Sequence, residues 1–387
     1  MNKKEISEIK KLFTPARCAI TRICGCYVDA DKNKRTELKE AFLSLPEEES
    51  FKYFTIFKKT LSGGLGKNLI NMEFPLTAEA QGGTQEFLLR LRDSGLKDEA
   101  LLEEFYDRVI EHYDYGENYY IILIHCAYDI PSKATDGTEM FDASDYVYEF
   151  ILCSICPVKL SKEGLCYNSV TNTIENRIRD WLVEAPSLGF LFPAFNDRNT
   201  DIHSLLYYAK NGEELKEQFI GELLGCRIPM SAKTQKETFQ AIVEETLGEN
   251  CDFEAVMGIH ESLNEILEQA EEGPEPVALD KRQVKQLLEE NGAQPEQLLE
   301  LENNYPRDEK EREESFLASN VAASRNLEIK TPDVSIKVAP DKAALVETRL
   351  IDGRCCIVIE AGEHVEINGI AVRPLSKEQL KQLQKKE

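Results

Sequence analysis

Between Asn211 and Asn320 the chain carries 27 Asp or Glu against 10 Lys or Arg, spread over segments whose apolar residues recur three and four positions apart. This stretch limits the possible folds most. Three-and-four spacing gives each helix one apolar stripe, and the acidic remainder has to stay in water. Such helices must dock by one side, and they divide a chain that is β-patterned at both ends. Their boundaries are also marked. A helix over Glu213–Leu224 stops at Gly225. Ser231 caps the next, which runs to Leu247 with Phe239, Ile242, Val243 and Leu247 on one face and Gly248 after it. Asp252–Glu271 follows, closed by Pro274 and Pro276. Another helix spans Asp280–Glu290, and Pro295 opens a further one.

The N-terminal part has a different pattern. Short helices are predicted at Lys3–Phe13, Glu47–Leu61, Thr84–Asp93 and Lys97–His112, with extended segments at Arg17–Asp29 and Leu69–Phe74. Asn118–Asp129 (NYYIILIHCAYD) is almost wholly apolar, as a strand covered on both faces should be. Tyr146–Cys156 (YVYEFILCSIC) is a second such strand, halted by Pro157. A polar loop over 131–144 joins them, so they are expected to be antiparallel neighbours. Ile174–Val183 has helical spacing. Two short extended segments flank the polar cluster Asn196–Asp201. The tail from Asn326 to Val372 is expected to be a β-meander with tight turns at Asp352-Gly353 and Asn368-Gly369, and Lys377–Lys386 a basic helix.

At 387 residues, with 42% apolar and 30% charged residues, the chain fits a soluble protein of two or three packed units. No basic start with a seven-residue apolar core appears, and the longest apolar run, Tyr119–Ala127, is half a bilayer span. Eleven cysteines without an export signal are expected to be reduced and mostly buried, in the cytoplasm. A net charge of −24 repels nucleic-acid phosphate at long range while leaving room for a local basic face. Candidates for that face are Lys3, Lys4, Lys10, Lys11, Lys32, Lys34, Arg35, Lys58, Lys59 and Lys67.

Three constellations could carry chemistry. Ser62–Asn68 (SGGLGKN) is glycine-rich, but a phosphate loop needs a preceding strand and a hydroxyl after the lysine. Here a helix precedes and Asn68 follows, so a helix stop and turn is expected, with Lys67 kept as a lone cation for a phosphate. Cys153 and Cys156 have redox-motif spacing, yet they end a buried strand instead of opening a helix. Zinc held by Cys24, Cys26, Cys153 and Cys156 is the other option, although Cys-Gly-Cys is tight for a knuckle. Buried structural thiols are expected. The cluster of Asn196, Asp197, Arg198, Asn199, Asp201 and His203 follows Phe190, Phe192 and Phe195. Asp197, Arg198, Asp201 and His203 could converge at the rim of an apolar pocket and bind a divalent ion or act as acid and base. A turn between strands favours the same residues. No cofactor is implied.

Several segments (RICGCYVD, FKKTLSGGLGKN, YEFILCSICPVKL, NRIRDWLVEAPSLGFLFPAFNDR and DGRCCIVIEAGEHVEINGIAVRP) resemble a bacterial family known only as a domain of unknown function, number 4317. That resemblance covers essentially the whole chain and implies no activity. The order of segments is also similar to that of the bacterial nucleoid-associated protein family, through IILIHCAYD, YEFILCSIC, the SAKTQKETFQAIVEETL helix and the β-tail. This second similarity implies association with the chromosome and transfers no site residue.

The expected protein is α+β in three parts: an antiparallel-sheet domain over 1–210, an acidic helical module over 211–320, and a β-meander with a terminal basic helix over 321–387. The expected function is that of a non-enzymatic interaction protein with a protein or nucleic-acid partner and no membrane partner. The alternative is an enzyme, or a binder of a small ligand or phosphate, using the Phe190–His203 region.

Overall fold

The computed structural model describes residues 1–133, 139–140, 146–270, 273–307, 312–322, 327–339, 342, 345–360, 365–367 and 369–372. In chain order its first part comprises α1 (Lys3–Lys10), β1 (Ile20–Val28), β2 (Lys34–Ala41), α2 (Glu47–Thr60), β3 (Leu69–Glu73), α3 (Thr84–Asp93), α4 (Glu99–His112) and β4 (Tyr119–Asp129). There follow β5 (Ser132–Lys133), β6 (Glu139–Met140), β7 (Val147–Leu160), β8 (Leu165–Asn168), β9 (Thr173–Asn176), β10 (Trp181–Val183), β11 (Leu188–Phe192), β12 (Ala194–Asn196), β13 (Asn199–Asp201) and β14 (Ser204–Ala209).

The apolar strands build one antiparallel sheet in the order β2-β1-β4-β7-β11-β14-β3. As expected, β4 and β7 are neighbours, in register from Tyr119 opposite Pro157 to Asp129 opposite Val147. Their unbroken apolar sequence follows from coverage on both sides. On one face Cys24, Leu123, Cys153, Phe190 and Tyr207 pack with Leu88 of α3, Phe105 of α4 and Phe219. On the other, Ile124, Leu152 and Leu206 pack with Ile9 of α1 and Phe54 and Phe57 of α2. Gly189 permits that close approach, since a Cβ there would lie 2.4 Å from the Cys153 carbonyl oxygen and 2.6 Å from Thr60 Cγ2.

Three local expectations are corrected, and one strand was not expected. Pro157 does not halt β7, which runs on to Leu160; proline is tolerated there because β4 ends opposite it. Ile174–Val183 is not helical but extended, in β9 and β10. Its apolar spacing imitates a helix, while Asn172, in the left-handed region, turns the chain into a β8–β9 hairpin. Strand β2 lacked an apolar pattern because it is a charged, largely exposed edge, the usual guard against edge-to-edge pairing. Glu213 lies outside the helix preceding Gly225, which spans only Phe219–Leu224 and is of π type.

That short helix packs, with Cys226, in the same buried cluster as the sheet. The acidic part then forms a core of its own from α5 (Ala232–Leu247), α6 (Phe253–Ala270), β15 (Ala278–Leu279), α7 (Lys281–Glu290), α8 (Pro295–Asn304), β16 (Phe316–Leu317) and α9 (Ala318–Val321). Ser231 caps α5, and Asp280 with Gln283 forms a capping box on α7. Phe239, Leu263, Leu288, Leu301 and Phe316 meet inside.

The tail, expected as a small β-meander, is a series of antiparallel hairpins. β17 (Leu327–Lys330) pairs with β18 (Ser335–Val338), β19 (Val346–Ile351) with β20 (Arg354–Ile359), and β21 (Val365–Ile367) with β22 (Ile370–Val372); no ladder among the described residues joins one hairpin to the next. Asp352 and Gly353 both have positive φ, as a two-residue hairpin turn requires. The expected helix at Lys377–Lys386 lies outside the described residues. Among those described, no helix is long and apolar enough to cross a membrane.

Candidate anion-binding cleft

Helices α1 and α2 come together beside the turn that follows α2, with the Phe13 and Phe57 rings 5.5 Å apart beneath them. A cleft of about 460 Å³ opens there, floored by Ile6, Leu61, Leu65 and Leu69. Its walls carry the side chains of Lys3, Lys10, Lys11 and Lys58, the hydroxyl residues Ser7, Thr14 and Ser62, and Gly63 and Gly64. Among the described residues, none of these four lysines has a carboxylate at ion-pair distance. Helix α2 ends here while α1 lies along the cleft from Lys3 to Lys10, and a helix C-terminus carries about half a negative charge. Four ammonium groups exceed that, so the cleft is a positive site in an acidic molecule.

Three of the other basic candidates are committed elsewhere. Lys34 pairs with Glu103 at 2.6 Å and Asp107 at 2.7 Å, and Arg35 with Asp29 at 2.5 Å. Lys67 lies 3.6 Å from Glu213 and does not line the cleft. The glycine-rich turn therefore contributes Gly63 and Gly64, while Lys58 stands where Lys67 was considered. Asn68, which broke the phosphate-loop pattern, holds the turn together. Its side chain accepts from Gly64 N at 3.2 Å and donates to the Ala209 and Lys210 carbonyls at 3.1 Å each. The signal for the lysine wall was present in the sequence: Lys3, Ser7, Lys10 and Thr14 follow helical spacing. What α1 would face was not.

The polar cluster after β12 is divided. Asp197 and Arg198 both have positive φ at the β12–β13 turn. Asn196, Asp197 and Asp201 line a second, larger cleft of about 1630 Å³ shared with Glu5, Arg227 and Glu275. Burial pushes the Asp201 carboxyl up, but hydrogen bonds from Ser204, Asn196 and the His203 backbone outweigh it and hold its pKa below the usual carboxylate value. Arg198 turns away to Glu8 at 2.9 Å, and His203 bonds Glu79 through Nδ1 at 2.7 Å. Phe190, Phe192 and Phe195 are fully buried and line neither cleft. The sequence cluster thus forms a rim of carboxylates with its cation and imidazole directed elsewhere.

The four cysteines do not form one set. Cys24, Cys26 and Cys153 enter the core on the α4 side of the sheet, whereas Cys156, an odd number of residues further along β7, enters the core on the other side. Strand β4 also separates the two pairs, since Cys24 and Cys153 both lie opposite Leu123. Burial pushes the Cys26 thiol up to about 12 and the Cys153 and Cys156 thiols up as well. These are poor thiolates. Among the described residues, no three His, Cys, Asp or Glu side chains gather closely enough to hold a metal ion.

A search of curated proteins gives no match. The family model described as "Domain of unknown function (DUF4317)" matches residues 1–370. With all but its last residues covered, the chain belongs to that family.

Proposed function

We propose that this protein is a binding protein rather than a catalyst, and that its ligand is a phosphate-bearing molecule held in the lysine cleft. The observation that carries this is the convergence of Lys3, Lys10, Lys11 and Lys58, with no carboxylate at ion-pair distance among the described residues, around a cleft whose volume falls in the range of small-ligand sites. The apolar floor suits a nucleoside or similar body, with the phosphates among the ammonium groups. Eleven free cysteines, most of them buried, support a reducing compartment, and we place the protein in the cytoplasm.

The test is a thermal-shift and calorimetric titration with pyrophosphate and nucleoside di- and triphosphates. A ligand at a hundred times its Kd adds about 2.7 kcal/mol of stability, which wild type should show and Lys10→Ala/Lys58→Ala should lose. If no phosphate-bearing compound stabilises the wild type, the proposal fails. Exposed Lys4 and Lys59 on the same helices favour a second reading, in which duplex phosphates lie across the cleft mouth. Salt-sensitive gel retardation of duplex DNA, lost in the same double variant, would support that reading.

A further inference from the structure

The chain between β7 and β11 belongs to none of the buried clusters. It leaves the sheet as the β8–β9 hairpin and returns through β10. Its large apolar side chains face water: Val170 is 92% exposed, Ile178 84%, Leu165 77% and Ile174 64%, with Tyr167 and Trp181 also more than half exposed. Monomeric proteins rarely leave more than a few hundred Å² of contiguous apolar surface open. Residues of these sizes together approach the ~800 Å² that one side of a standard interface occupies.

The backbone is open as well. Strand β10 pairs with β7 from Trp181 opposite Leu160 to Val183 opposite Val158, and its other edge has no partner among the described residues. An apolar strand with a free edge is a template for a second strand. Charge selects the occupant. Residues 161–183 hold three basic residues (Lys162, Arg177, Arg179) and three acidic ones (Glu163, Glu175, Asp180), a net of zero in a chain of net −24. A cationic partner would be drawn to the acidic helices instead. A second copy meets less repulsion at this neutral arm than at the acidic helices, and a two-fold axis makes the arm its own complement.

We propose that two copies of this chain associate through residues 161–183, with their β10 edges antiparallel and Ile174, Ile178 and Trp181 covered between them. Trp181 is the sole tryptophan and so a built-in probe. In sedimentation velocity over a dilution series the full chain should be a dimer at high concentration. On dissociation the Trp181 emission should move to longer wavelength in step. Ile174→Glu/Ile178→Glu, at exposed positions, should weaken the dimer at least tenfold with unchanged circular dichroism. A wild type that is monomeric throughout would overturn the proposal. So would a dimer whose Trp181 emission ignores dilution, or a folded Glu variant that dimerises normally. A monomer whose emission shifts only with phosphatidylcholine vesicles would assign the arm to a lipid surface instead. Should the Glu variant fail to fold, the wild-type fluorescence series decides alone.

Discussion

At the scale of single residues, the histidines and Asn68 show how position decides chemistry. His203 is exposed and bonded to the Glu79 carboxylate, which raises its pKa. Burial lowers that of His125, whose Nδ1 lies 2.7 Å from Thr21 Oγ1; Glu149 and Asp93 oppose this weakly, and Arg92 and Lys97 add to it. Burial likewise lowers that of His260. In an NMR titration of the imidazole protons, His203 should titrate above the usual value of about 6.5, and His125 and His260 below it. Glu79→Gln should return His203 towards normal. The sign for stability follows: a depressed histidine contributes fully above the unfolded pKa and loses that contribution as pH falls through the folded one. His125 should therefore contribute to acid destabilisation below about pH 6.5, and His125→Asn should flatten that limb in urea titrations. For Asn68, replacement by Ala removes its bond from Gly64 N and its bonds to the Ala209 and Lys210 carbonyls, of which only the Ala209 bond is partly buried. Losing that buried partner costs about 1–3 kcal/mol, so a denaturation midpoint that barely moved would refute its role as the clasp.

At the scale of elements, the parts visible in the sequence were those whose pattern answers to one neighbour or to local chemistry. β4 and β7 were visible because both faces are covered, and α5 and α7 because Ser231 and Asp280 cap them. β2 was invisible because an exposed edge carries no apolar period. β9 and β10 were misjudged because their apolar residues answer to nothing inside the described chain. The cleft was half legible. Gly63 and Gly64 marked its turn, but that Lys58 rather than Lys67 would join the α1 lysines depended on how α1 lies against α2. The same turn joins the two main units. A Cβ on Gly66, whose φ is +83°, would come within 2.1 Å of Leu317 Cδ1, and Asn320 Nδ2 donates to the Gly66 carbonyl at 3.0 Å. Gly66→Val combines left-handed strain of about 1–3 kcal/mol with that clash. It should loosen the helical module first, so calorimetry should show the module melting ahead of the sheet. One undivided transition at the wild-type temperature would mean that the contact carries no coupling.

At the scale of the whole molecule, the lysine cleft sits inside an opposing field. The acidic module reaches the glycine turn through Leu317 and Asn320, and its 27 acidic against 10 basic residues dominate the net charge. The range of that field depends on salt: the screening length is about 30 Å at 0.01 M and about 8 Å at 0.15 M. At low ionic strength a phosphate in the cleft is attracted by four near lysines and repelled by the distant carboxylates. Salt removes the distant repulsion first, because charges in or near contact are screened least. Affinity for a small phosphate ligand should therefore hold or rise between about 0.01 and 0.15 M salt, where a uniformly basic site would lose affinity steeply. Calorimetric Kd values at the two ionic strengths check this directly. A steep fall would mean that the module lies too far from the cleft to be felt. The near lysines would then be acting as an ordinary basic patch, and duplex DNA would become the better ligand.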